Sequence, residues 1–312
     1  MHTLLKRRTV LLATALGAGT TLLQACGGGD DEPERNIVEV AQNTPELSIL
    51  VEAVLAAGLA PTLSTGSLTV FAPTNSAFAA LLTELGVTKE ALLADKALLT
   101  AVLTYHVLGT AVARADIPAG KAITPVSGGF FKIETTGGLK VTDGRNRISN
   151  ITATDIRASN GVVHLVDRVL LPANKDIVAT ASALPDFSIL VEAVVAAGLA
   201  STLQREGPYT VFAPTNAAFA GLLAELNVTK DALLADTALL TKVLTYHVVA
   251  ARVLKAEVPV NTAITTVQGQ TLVVGTDLAI TDQNMRKSQI VATDVFTSNG
   301  VIHVVDKVLL PK

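Results

Sequence analysis

Beyond its first three dozen residues the chain alternates between two hydrophobic rhythms, a helical spacing followed by a strand spacing, and then runs through both again. Leu47, Leu50, Val51, Val54, Leu55 and Leu59 recur at three- and four-residue intervals, which predicts a helix. Thr44 is placed to cap it, Pro45 fits its first position and Gly58 stands near its stop. Residues 67–71 read as a short strand ending at Ala72-Pro73. Thr74 can cap the next helix, whose apolar face is Phe78, Leu81, Leu82 and Leu85. Thr88 can cap a third, and Leu98, Leu99, Val102, Leu103 and His106 lie on one stripe of a fourth. From there glycine-rich turns separate β-branched runs, with Asn160-Gly161 as a hairpin turn between residues 151–157 and 162–171. Helices first and strands later predict an α+β domain.

The repetition is legible at residue level. Leu68-Thr69-Val70-Phe71-Ala72-Pro73-Thr74-Asn75 returns as Tyr209-Thr210-Val211-Phe212-Ala213-Pro214-Thr215-Asn216. Val102-Leu103-Thr104-Tyr105-His106-Val107 returns as Val243-Leu244-Thr245-Tyr246-His247-Val248, and Ser159-Asn160-Gly161-Val162-Val163-His164 as Ser298-Asn299-Gly300-Val301-Ile302-His303. The offset falls from 141 to 139 residues between the second and third matches, which puts a two-residue length difference in the stretch 128–147. Domains are expected at residues 36–172 and 176–312, joined so briefly that their relative orientation is restricted.

The N-terminus has the layout of an export signal over residues 1–25: Lys6-Arg7-Arg8, an apolar stretch over residues 10–18, then Leu23-Gln24-Ala25-Cys26. These last four resemble a bacterial lipobox, so Cys26, the sole cysteine, is the expected lipidation site and the link to a membrane. Residues 26–35 read as a flexible charged tether. Gly27 rather than Asp after Cys26 resembles lipoproteins sorted to the outer membrane rather than the inner, and the expected location is the cell envelope.

Composition excludes several classes. The formal charge is −3, and the first 25 residues hold three cations and no acid, so the remainder is more acidic still. Neither repeat interleaves a Lys/Arg cluster with aromatics, which argues against a nucleic-acid partner. No later segment approaches the roughly 20 apolar residues that span a bilayer.

The ordered set Thr69-Val70-Phe71-Ala72-Pro73-Thr74-Asn75, Tyr105-His106, Asn160-Gly161-Val162-Val163-His164-Leu165-Val166-Asp167 and a terminal Leu-Pro, present in both copies, resembles the fasciclin-like domain. That resemblance implies a β-sandwich wedge flanked by several short helices, and a role in adhesion or surface contact with a matrix protein, polysaccharide or envelope protein. An alternative is a binding module for a small apolar ligand or an envelope protein, without adhesion. The resemblance also makes Tyr105-His106 and Tyr246-His247 candidate adhesion motifs. Their place on an apolar helix stripe points the rings inward and favours a structural role.

An enzyme is not expected. Beyond His2, each histidine occupies one of two repeated positions, His106/His247 or His164/His303. Asp155 and Asp167 could complete a site around His164 only from a strand pattern in which Asp167 reads as solvated or turn-pairing. His-Glu-x-x-His, Gly-x-Ser-x-Gly and phosphate-loop motifs are missing, so no metal or cofactor is expected. Glu84, Glu90 and Asp95 read as solvated helix surface.

Overall fold

The computed structural model describes residues 35–312. In the first repeat the helices are α1 (Ile37–Gln42), α2 (Ser48–Ala57), α3 (Ala60–Leu63), α4 (Asn75–Leu85), α5 (Lys89–Ala94) and α6 (Lys96–Tyr105). The strands are β1 (Leu68–Pro73), β2 (Val107–Leu108), β3 (Ala122–Ile123), β4 (Phe131–Glu134), β5 (Lys140–Thr142), β6 (Ile148–Ala158) and β7 (Gly161–Val166). The second repeat follows the same order: α7 (Ile177–Ser182), α8 (Ser188–Ala196), α9 (Ala200–Leu203), β8 (Tyr209–Pro214), α10 (Asn216–Leu226), α11 (Lys230–Ala235), α12 (Thr237–Tyr246), β9 (Val248–Val249), β10 (Ala263–Thr265), β11 (Thr271–Val274), β12 (Ala279–Thr281), β13 (Lys287–Thr297) and β14 (Gly300–Val305).

Each repeat builds one seven-stranded sheet, ordered β2-β1-β7-β6-β5-β4-β3 in the first. β1 pairs parallel with β7, and the other neighbours are antiparallel. The long strand β6 makes the wedge. Its first residues pair with β5 and the remainder with β7, with two register shifts between Ile151 and Ile156 that bend it. One core, with Phe71, Tyr105, Phe131, Ile133 and Val141, lies inside the wedge. A second packs the helices on the outer face of β1 and β7 through Leu50, Val54, Phe78, Leu99 and Leu103. The two-residue length difference falls at the turn after β4, where Ile133↔Val141 in the first repeat corresponds to Val274↔Ile280 in the second.

Thr74 and Thr88 cap α4 and α5, accepting the Ala77 and Ala91 N–H groups. Thr44 does not cap. Its hydroxyl donates back to the Val40 carbonyl, and Pro45 opens a 3₁₀ turn, Pro45–Leu47, instead of α2. The cap of α2 is remote: Asn75 Oδ1 accepts the Ile49 N–H at 3.0 Å while its Nδ2 donates to the Pro45 carbonyl and Ser48 Oγ. Asn216 repeats all three contacts. Asn160 does more than turn a hairpin, since its Oδ1 accepts the Ile37 N–H and its Nδ2 donates to the Leu63 carbonyl. β7 ends at Val166, short of the expected residue 171.

The two repeats pack on each other. Phe130 packs against Phe296 in a tilted pair, 4.7 Å between ring centroids, with the Arg252 guanidinium 4.5 Å over the Phe130 ring and Leu254 and Val301 completing an apolar cluster. Lys132 bonds to Asp294 at 2.7 Å, and Asn146 exchanges two hydrogen bonds with the Phe296 backbone.

Candidate functional site

Tyr105, His106, Tyr246 and His247 all lie inside the domains, each at most 1 % exposed. His106 Nδ1–H donates to the Val102 carbonyl at 2.7 Å, and Nε2 accepts the Leu170 N–H at 2.9 Å. The ring thereby ties the end of α6 to the segment after β7. His247 makes the same pair of bonds to Val243 and Leu309. Burial pushes both imidazoles from 6.5 down to about 4, so they are neutral at ordinary pH. The Tyr105 hydroxyl donates to the Phe130 carbonyl, and Tyr246 to the Thr271 carbonyl at 2.8 Å.

His164 and His303 are engaged as fully. Each donates from Nε2 to a loop carbonyl, Val112 or Val253, and accepts at Nδ1 the N–H of Asp155 or Asp294. Those aspartates sit at the β6 and β13 bulges with φ near +60°, and their carboxylates accept the Arg114 and Lys255 N–H groups. Asp167 pins β6 by accepting from the Asn150 backbone and side chain, which holds its carboxyl below the usual range despite partial burial. Sequence reasoning missed Asp143. It is buried, accepts N–H groups from Arg145, Arg147 and Leu171, and pairs with the Arg147 guanidinium, which also bonds Glu84. Glu84 is therefore an ion-pair partner and not simply solvated. The spacing Asp143 to Arg147, repeated as Asp282 to Arg286, was the available signal.

With the polar groups so engaged, the binding surface has to be sought elsewhere. An apolar groove opens between α4, α5 and α6, lined by Phe78, Leu85, Leu92, Leu98, Val102 and Leu171, with a cavity of about 140 Å³. The second repeat carries the same groove, lined by Phe219, Leu226, Leu233, Leu239, Val243 and Leu310, at about 190 Å³. Leu85, Leu226 and Leu239 are more than a third exposed at these rims. Between the repeats lies a cleft of about 800 Å³ whose charged lining is Lys132, Arg145, Arg147 and Lys175 against Glu84 and Asp294.

The fasciclin domain profile matches residues 45–172 and again residues 185–311. The chain belongs to the fasciclin family. The Transforming growth factor-beta-induced protein ig-h3 of Sus scrofa is 30 % identical over 252 residues, covering 79 % of this chain and 35 % of its own length. Periostin of Homo sapiens is 30 % identical over 250 residues, covering 79 % and 27 %. Protein sll1483 of a Synechocystis strain is 41 % identical over 138 residues, 43 % of this chain and 73 % of that one. The chain thus spans about a third of the length of the two animal relatives.

The family is that of a non-catalytic domain, and each of the four described imidazoles holds two backbone groups. Among the described residues no cluster of three or more His, Cys, Asp or Glu could hold a metal ion, and no helix is long and apolar enough to cross a membrane. The expected lipidation site Cys26, the expected export signal over residues 1–25 and most of the expected tether lie outside the described residues.

Proposed function

We propose that this chain is a lipid-anchored protein of the cell envelope that binds extracellular partners, adhesively, through two fasciclin domains at residues 36–172 and 176–312. The anchor is the lipid on Cys26, reached through the tether at residues 26–35, and the outer membrane is its location. The partner is a matrix protein, a polysaccharide or another envelope protein. The carrying observation is the duplicated groove: the same apolar surface occurs at equivalent places in both domains, which are held together by the Phe130–Phe296 contact. Two weak sites at fixed spacing gain affinity through effective concentration, without new contacts.

A second reading, favoured by the concavity of the grooves, is a module for a small apolar ligand without adhesion. The test measures binding of the two-domain chain and of single domains, each verified as folded by circular dichroism, to matrix proteins, envelope polysaccharides and intact cells. Adhesion predicts binding by the pair that falls by about a hundredfold in single domains. No binding by the folded pair would overturn it. Metabolic labelling with a radioactive fatty acid tests the anchor, and label retained after Cys26→Ala would refute it.

A further inference from the structure

Each groove holds one cationic side chain among its apolar lining and no carboxylate. In the first it is Arg145, half-buried, whose Nε donates to the Pro172 carbonyl at 3.4 Å and which has no ion-pair partner among the described residues. Burial and the neighbouring Arg147 work against its charge and are only partly offset by Asp143 and Glu84, so an anion at the groove would add to its stabilisation. In the second groove it is Lys242, on α12, also without an ion pair among the described residues.

The two cations come from unrelated positions. The counterpart of Arg145 is Asn284, which donates to the Leu310 and Pro311 carbonyls; the counterpart of Lys242 is Ala101. The repeats therefore reach the same arrangement, an apolar trough with one positive charge, by different residues. The cavities, about 140 and 190 Å³, bracket the roughly 150 Å³ in which a leucine-lined cavity holds benzene, leaving room for a short hydrocarbon chain.

We propose that each groove takes the hydrocarbon end of a small anionic amphiphile, a medium-chain carboxylate, whose head group is held by Arg145 in the first domain and by Lys242 in the second. This rests on the apolar-ligand reading above and names its chemistry. Free fatty acid and the acyl carboxylates released from lipids share that chemistry.

The experiment is calorimetric titration of the intact two-domain chain with octanoate and, separately, with octanol. Two sites per chain are expected, octanoate binding about tenfold tighter than octanol, an advantage that shrinks in high salt. Arg145→Ala and Lys242→Ala should each weaken octanoate at one site by about tenfold while leaving octanol unchanged. Arg145→Lys should recover part of the loss. Equal binding of octanol and octanoate by the parent chain would overturn the head-group assignment and leave the apolar-ligand reading standing. Undiminished octanoate binding in the double alanine variant would do the same. If neither ligand binds up to its solubility limit, both fall.

Discussion

The buried imidazoles make the stability of this protein depend on pH in a direction that can be worked out. His106 accepts the Leu170 N–H at Nε2, so protonation there breaks a bond that closes the domain, and it places a charge in a core where the nearest charged groups, Asp143 and Arg147, oppose each other. With the folded imidazole near 4 against an ordinary 6.5, the unfolded chain binds the extra proton first as pH falls. The stabilisation is complete above pH 6.5 and is lost between 6.5 and about 4. Linkage gives a loss of about 2 kcal/mol per domain between about pH 7.5 and about pH 5, rising toward about 3 kcal/mol below it. His247 adds an equal loss in the second domain, and His303 shifts in the same direction. Asp167, held low, acts only below about pH 4 and stays outside this window. Urea unfolding from about pH 7.5 to about pH 5 measures the slope, with His106→Gln as the comparison. That variant should be less stable by about 2–4 kcal/mol near neutral pH, because two buried backbone groups lose their partner, and its first domain should have a flatter pH dependence. A slope identical to that of the parent chain would refute the reasoning.

Asn75→Ala should cost about 1–2 kcal/mol by removing the remote cap of α2, and Asn216→Ala the same in the second domain; thermal unfolding reads both. Gly161→Ala should keep the first domain from folding, since a Cβ at φ +148° would stand 1.9 Å from the Leu68 carbonyl oxygen, and a native-like circular dichroism spectrum would contradict this. Asp143→Asn should destabilise by about 3 kcal/mol or more, because the Arg147 guanidinium loses its buried partner, while loss of the exposed Glu52–Lys89 pair should leave the unfolding midpoint nearly unchanged in the same assay. Phe296→Ala should cost about 3 kcal/mol and split a coupled calorimetric transition into two.

The local part of this structure was legible in the sequence and the long-range part was not. Thr74 and Thr88 could be read as caps because each accepts an N–H only three residues away. Asn75 caps α2 at Ile49, 26 residues earlier, and Asn160 closes on Ile37 across 123 residues, so neither bond has a local signature. Thr44 misled because a cap pattern was present, but the Leu47 N–H three residues on goes to the Thr44 carbonyl in a 3₁₀ turn while the Thr44 hydroxyl turns back to Val40. The histidine stripe was informative since its apolar neighbours share one helix face. Asp143 showed only its local half, the turn to Arg145 and Arg147; its bond to the Leu171 N–H, 28 residues on, forms only once the wedge is closed.

Comparison of the two repeats separates what holds a fasciclin domain together from what joins this pair. The histidine ties, the asparagine caps and the Asp143/Asp282 networks occur twice in the same arrangement, as the closure of one wedge requires. The interdomain contacts are made by residues the repeats do not share. Phe130, Lys132 and Asn146 have Thr271, Val273 and Met285 as counterparts in the second domain, and Phe296 has Arg157 in the first. A head-to-tail contact propagates only if each unit offers both complementary faces. Here the face of the second domain that corresponds to the docking face of the first has lost the ring, the cation and the amide, and Met285 stands 79 % exposed where Asn146 is engaged. The packing is thus written for this particular pair. It fixes the spacing of the two grooves while giving the outer faces no means of repeating the contact.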